Sequence, residues 1–186
     1  MDSASSPKMT RSGFRFVGLT LADAPQLQAL YERCTDYHMA HEGTPTRATA
    51  GEEELRSLPS GRIADDKFPF GIYSAGAELV GYLELFRNYP AEGEWWIGLL
   101  IVDPNARRRG VGTEIFGSAS EWAAEDGAKA IQLAVLEHDP AAQRFWERQG
   151  FELLRRRPYQ SDAEKKAHTV LILRRATDRA EPAATA

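Results

Sequence analysis

Apolar positions recur along the chain in two rhythms, and the switches between them mark out the elements. Residues 14–19 alternate as a first strand. Ala22 or Asp23 then starts a helix, with Pro25 in its first turn. Leu27, Leu30, Tyr31 and Cys34 follow at helical spacing and form its apolar face. Residues 43–50 read as a loop, and 52–58 as a short acidic helix whose leading glutamates suit the positive end of the helix dipole. Strands are expected over 68–74, 79–86 and 94–102, the last two joined by a hairpin connection containing Pro90 and Gly93. From Ile97 to Val102 the chain is nearly continuously apolar, as a central buried strand is, and Pro104 stops it because proline cannot donate to a sheet ladder. A long helix over 113–126 puts Ile115, Phe116, Ala119, Trp122 and Ala123 on one face and ends at Gly127. A strand over 130–136 leads to Asp139-Pro140, an N-cap and a first-turn proline, and a helix with Phe145 and Trp146 inward, ended by Gly150. Strands over 151–156 and 169–173 complete the pattern, joined by a polar connection over 158–167. Residues 1–12 and 176–186 are expected to be a disordered lead and tail around a single domain over 13–175.

Composition narrows the classes. At 186 residues the chain suffices for one domain with a sizeable core. A net charge of -4 supplies no basic field for nucleic acid, and the runs Arg155–Arg157 and Arg174–Arg175 read as solvated strand ends. Cys34 is the single cysteine, so no intrachain disulfide can form. That suits a reducing compartment, and a cytoplasmic location is expected. The first residues lack the apolar core of a signal peptide, and no apolar run is long enough for a bilayer, so no membrane partner is expected. His38 and His41 lie three apart without the further ligands a zinc site needs, so no metal is expected and they read as surface or substrate-pocket histidines.

Chemistry concentrates where the apolar strand meets the long helix. Arg107-Arg108-Arg109-Gly110-Val111-Gly112-Thr113 brings cations and glycines to a helix start, where unpaired N–H groups and the dipole make an anion site. A P-loop requires Gly-Lys-[Ser/Thr], and Gly112 is followed by Thr113-Glu114. A dinucleotide fingerprint requires a third glycine where Ile115 stands. The segment 107–112 resembles the acyl-CoA-binding pattern [Gln/Arg]-x-x-Gly-x-[Gly/Ala] of the GNAT superfamily of N-acetyltransferases. Asp139 to Phe151 resembles a second segment of that family, Asn-x-x-Ala-x-x-[aromatic or Leu]-Tyr-x-x-x-Gly-Phe, in the right order with a strand between.

The resemblance implies an α/β (α+β) fold with a central mixed, mostly antiparallel sheet of about seven strands and about four flanking helices. It implies acetyl transfer from acetyl-CoA, as acyl donor, to a primary amine of a small molecule or peptide by direct attack in a ternary complex. A homodimer is a further expectation. A catalytically impaired acyl-CoA-binding sensor of the same fold is the alternative. The resemblance assigns cofactor binding to Leu100, Ile101, Val102, Arg107, Arg108, Arg109, Gly110, Val111, Gly112, Thr113, Asp139, Ala142 and Trp146. A backbone N–H near Leu100 is the oxyanion donor in this reading. Asp139 stands where the family often has asparagine, and an ionised carboxylate cannot donate, so capping is its alternative role. Trp146 stands at the family's tyrosine general acid, and an indole is no acid. Trp96 stands at a common position for the base. Catalytic carboxylates are sought instead in Glu84 and Glu94, with Glu137-His138 a third candidate. Pairing the hairpin around Pro90-Ala91 puts Glu84 opposite Gly98, which favours Glu84. Tyr37, His38, Glu42, Asp65, Asp66 and Tyr159 are candidates for the acceptor pocket.

Overall fold

Seven strands hydrogen-bond side by side in the order β1-β2-β3-β4-β5-β7-β6. They are β1 (Arg15–Gly18), β2 (Lys67–Tyr73), β3 (Leu79–Phe86), β4 (Glu94–Val102), β5 (Ala130–Leu136), β6 (Glu152–Gln160) and β7 (Ala167–Ala176) in the computed structural model, which describes residues 7–160 and 167–177. β4 and β5 run parallel, and the other neighbouring pairs are antiparallel. Five α-helices flank the sheet among the described residues: α1 (Ala24–Arg33), α2 (Thr35–Glu42), α3 (Ala50–Arg56), α4 (Val111–Glu125) and α5 (Pro140–Arg148). The class and mixed sheet are those expected.

Burial divides the helices between the two faces. Ile115, Phe116, Ala119 and Trp122 of α4 and Trp146 of α5 pack with Leu83, Leu85, Trp95, Ile97, Leu133 and Val135. On the other face Leu27, Leu30, Tyr31 and Cys34, with Ala50 of α3, meet Tyr82, Leu99 and Ile101. The strand β4 therefore changes phase within its length. Trp95 and Ile97 face α4, whereas Leu99 and Ile101 face α1. Strict alternation would put all four on one side. The reason is a β-bulge: Leu85 pairs with Ile97 and Glu84 with Leu99, leaving Gly98 as the inserted residue. The expected register, Glu84 opposite Gly98, is corrected by one residue.

Three helices rather than two occupy the stretch between β1 and β2. The helical run breaks at Cys34 (φ -98°, ψ 45°), which closes α1 through N–H bonds to Leu30 and Tyr31 carbonyls and opens α2. Five helices thus replace the expected four. Part of the expected lead is tied down. Thr10 N–H donates to Phe14 O (2.8 Å), Phe16 N–H to Lys8 O (3.1 Å), and Ser12 N–H and hydroxyl bind the Glu114 carboxylate at 3.0 and 2.7 Å. At the other end β7 runs on to Ala176, and Thr177 N–H donates to Lys129 O at 3.1 Å. Residues 1–6 and 178–186 of the expected lead and tail, and 161–166 of the expected polar connection, lie outside the described residues. Among the described residues no helix is long and apolar enough to cross a membrane.

Candidate active site

The parallel pair that holds the two halves of the sheet together is short. β4 and β5 pair from Glu94↔Ala130 to Ile97↔Leu133 and then part, although β4 continues to Val102 and β5 to Leu136. The bulge at Gly98 falls at the point of separation. Beyond it lies a cleft of about 900 Å³ between residues 97–102 of one strand and 133–136 of the other. The cleft runs from Gly98 to the turn before α4, and Tyr37, Ala40 and His41 of α2 wall its outer side. Two donors reach the end of β4: Arg107 Nε bonds Val102 O at 2.7 Å, and the Cys34 thiol lies 3.7 Å from the same oxygen.

The turn at the cleft's wide end fits an anion. Arg108 (φ 62°) and Gly110 (φ 80°) are both left-handed, and the curl delivers the chain into the first turn of α4. Gly110 is the N-cap and makes no side-chain cap bond, so the first N–H groups of α4 are left to an outside partner. A Cβ at Gly110 would have open space, so glycine is there for the backbone angle. Gly112 serves packing instead, because a Cβ would come within 3.4 Å of the Phe145 ring.

Of the residues assigned to the cofactor, Leu100, Ile101, Val102, Arg107, Arg108, Gly110, Val111, Gly112, Thr113, Asp139, Ala142 and Trp146 line this cleft. Arg109 does not border it. The Arg107 guanidinium is committed to both oxygens of Asp36 on α2 and so fastens that helix to the turn. Its hydrogen bonds hold the Asp36 carboxyl below the usual range. Asp139 Oδ1 accepts the N–H groups of Ala141 (3.1 Å) and Ala142 (3.0 Å), so its carboxylate caps α5. Trp146 is a core residue, edge-on to Phe116 at 5.5 Å, with one border on the cleft.

The two catalytic candidates separate sharply. Glu94 stands at the start of β4, away from the open end, bonded to Arg174 (3.0 Å) and Gln132 (2.9 Å). Burial works against its charge, but those two donors outweigh it and hold the carboxyl below the ordinary range. Glu94 is a strut between β4, β5 and β7 and does not border the cleft. Glu84 is only 3% exposed and stands behind Gly98. Lys67 Nζ (2.5 Å) and Tyr82 OH (3.1 Å) both approach its Oε2. Its Oε1 is aimed at Gly98, where a Cβ would meet it at 2.5 Å, and Gly98 itself is exposed on the cleft. Burial, with the charge of Glu54 adding to it, pushes the Glu84 carboxyl up to about 8 despite Lys67 and Tyr82. Glu137 is spent on Arg156 (2.9 Å), and His138 lines the cleft with its ring 5.2 Å from that of His168.

Among the acceptor candidates, Tyr37 lines the cleft, His38 is buried against Tyr31, and Tyr159 is exposed on β6. Asp65 and Asp66 lie in the turn before β2, off the cleft. Glu42 closes α2, and its side chain lies outside the described part of the chain. Asp36 and Lys67 went unnoticed in the sequence, whereas His41, read there as a surface or substrate-pocket histidine, borders the cleft. His41 stacks on Tyr37 at 4.3 Å, and burial drives its pKa down to about 4. Cys34 is buried, and desolvation pushes its thiol up to about 11, which suits packing and not nucleophilic attack.

A sheet parted at one parallel pair, with a glycine cradle at the mouth of the gap, defines a class of acyl-transfer protein, and comparison with known proteins agrees. Residues 25–151 match the model of the acetyltransferase (GNAT) family. The chain belongs to that family and is an acyltransferase. It is 27% identical over 134 residues, 70% of this chain and 85% of the relative, to the uncharacterized N-acetyltransferase YhfO of Bacillus subtilis (strain 168). An acetyltransferase from Thermus thermophilus superposes with a TM-score of 0.67 at 23% identity, covering 90% of this chain and 99% of that one. A spermidine N-acetyltransferase from Vibrio cholerae, solved with CoA and spermine, gives a TM-score of 0.69 at 18% identity, covering 89% and 96%.

Proposed function

We propose that the protein transfers an acetyl group from acetyl-CoA to a primary amine of a small molecule or peptide by direct attack within a ternary complex. The observation that carries this reading is the continuity of the cleft from the uncapped start of α4 to the gap at Gly98. The site fits the donor on its own chemistry. The N–H groups at Gly110–Thr113 and the end of α4 suit a pyrophosphate. Leu100, Ile101 and Val102 offer a strand edge to a pantetheine arm, with a backbone N–H near Leu100 as the oxyanion donor. Ala142 and Trp146 form the opposite wall, and Arg108 adds charge.

Acetyl-CoA supplies an activated acyl carbon: a C–N bond replaces its C–S bond, and sulfur departs with the electron pair. The chain must then accept a proton from the ammonium. Glu84 takes that role in this reading, because Oε1 faces the cleft through a position with no side chain, and its proton affinity is raised into the range a general base uses. No strong general acid is required, since an ordinary thiol has a pKa of about 8.5. That is consistent with a tryptophan at position 146.

The test is thiol release from acetyl-CoA against amino acids, monoamines, polyamines and peptides, with Glu84→Gln alongside. We expect turnover with at least one amine class and a loss of about 10²–10⁴-fold in kcat for Glu84→Gln with donor affinity retained. Tight acetyl-CoA binding without turnover on any acceptor would move the protein to the sensor reading.

A further inference from the structure

We propose that Lys67 is a positioning residue of this reaction: its ammonium turns Glu84 so that Oε1 faces the cleft and keeps that group a carboxylate able to receive the acceptor's proton. The inference rests on the reading of Glu84 as the proton acceptor and concerns a residue that touches neither substrate.

The side chain is buried and fully engaged. Lys67 opens β2, and its side chain is 4% exposed, as is that of Glu84. An ammonium has three donors. Here they meet three acceptors: Glu54 O at 2.5 Å, Ser57 O at 2.8 Å and Glu84 Oε2 at 2.5 Å. Glu54 and Ser57 belong to the last turn and C-cap of α3, the end at which a helix presents unpaired carbonyls and a partial negative charge. The lysine therefore binds the helix end and the carboxylate together. With Lys67 and the Tyr82 hydroxyl both on Oε2, the carboxylate has one orientation, and the remaining oxygen points at Gly98.

The groups around Glu84 set the direction of the electrostatics. Glu54 on α3 and burial both favour the protonated form. Tyr82 on β3 and Tyr31 on α1 are buried phenols, both pushed upward by desolvation, so they stand neutral. β4 contributes Gly98 and Leu99, which carry no charge. Lys67 is thus the cation that opposes protonation of Glu84, through both its charge and its hydrogen bond. Removing it raises the proton affinity of Glu84 further, and the base is then filled before the acceptor arrives.

The experiment uses the full chain, Lys67→Met and Glu84→Gln, with kcat measured from pH 6 to 10, a range of about two units either side of 8, at saturating acetyl-CoA and an amine found active in the panel above. We expect the acidic limb of the Lys67→Met profile to move up by at least about one pH unit, with kcat below the limb about tenfold lower and the alkaline plateau retained. Glu84→Gln should lack the limb. A purely packing role for Lys67 gives a uniform loss at every pH with the limb unmoved, and that result overturns the proposal. Should Lys67→Met fold poorly, wild-type protein labelled with ¹⁵N-lysine provides the second reading: the Lys67 Nζ resonance must change position, as Glu84 beside it ionises, at the midpoint of the rate limb. A resonance that stays flat through the limb also overturns it. If the wild type releases no thiol with any amine, the activity reading fails first, whereas a working wild type with an unmoved limb sinks only the role of Lys67.

Discussion

Replacing Gly98 with alanine places a methyl group between a buried carboxylate and the cleft. The new Cβ would lie 2.5 Å from Glu84 Oε1, 2.9 Å from Phe86 Cε2 and 3.3 Å from Glu84 Cδ. The first two distances are too short, so something must move. Phe86 lies in the core, 3% exposed, and Glu84 is anchored by Lys67 and Tyr82. Overpacking of this kind costs about 1–3 kcal/mol. Gly98 is not among the positive-φ glycines, so alanine recovers about 0.4–1 kcal/mol of chain entropy. The net is a loss of about 0–2.6 kcal/mol. At about 2–4 °C per kcal/mol for a domain of this size, Tm falls by no more than about 10 °C. Activity should suffer far more, because the methyl covers the one oxygen of Glu84 aimed at the cleft. A reduction in kcat of about 10²–10⁴-fold is expected, the full contribution of a general base, with acetyl-CoA affinity within about threefold of wild type. Thiol release at pH 8, thermal melting followed by circular dichroism and calorimetric titration with acetyl-CoA read the three quantities. A Gly98→Ala enzyme that keeps wild-type kcat and its pH profile refutes the path from Glu84 to the cleft.

Two further outcomes test the cradle and the wall opposite. Gly110→Ala forces a left-handed alanine at a cost of about 1–2 kcal/mol, with no steric clash, so acetyl-CoA affinity should fall about tenfold while the fold survives. Unchanged affinity in calorimetry would remove the turn from the donor site. His41 has its proton affinity lowered to about 4 by burial, against about 6.5 in the unfolded chain. Its contribution to stability is complete above the unfolded value and is lost as the pH falls from there toward the folded one, where the unfolded chain binds the proton first. Melting temperatures of wild type and His41→Gln should therefore converge as the pH drops through that window, and parallel curves contradict the burial of the imidazole.

Local patterns carried most of the fold. The bounds of β3, β4 and β5 emerge directly from apolar alternation and the turns before them, because each strand is preceded by a turn residue at positive φ, Ala77, Gly93 and Gly127. The start of α4 was legible for the same reason, since Gly110 is needed for its angle. What sequence pattern missed depends on contacts between distant segments. The break at Cys34 replaces no helix former with a breaker, so periodicity runs straight through it. The bulge at Gly98 shifts register by one residue, which neighbouring residues cannot reveal. Lys67 fell just outside the expected strand and drew no notice, because its burial arises from the end of α3 folding back over it. Glu84 and Glu94 look alike as strand carboxylates, and partners from other segments tell them apart: Lys67 on the one, and Arg174, some 80 positions away, on the other.

The phase change in β4 also sets which single-residue losses that strand can absorb. Upstream of Gly98 the strand addresses α4, and downstream it addresses α1, so the two helical layers are packed against different frames of one segment. Deleting a residue downstream of the bulge, such as Leu100, would leave a strand of similar composition and hydropathy, yet Ile101 would turn toward α4 while Val102 turned toward α1, whereas deleting Gly98 would only remove the bulge and leave Leu99 and Ile101 toward α1. The loss of Leu100 would exchange the residues offered to both helical layers at once. A residue lost from the stretch 43–49 between α2 and α3 would shift nothing of the kind. From Leu99 to Val102 the residue count, more than the composition, keeps β4 in register with its two layers.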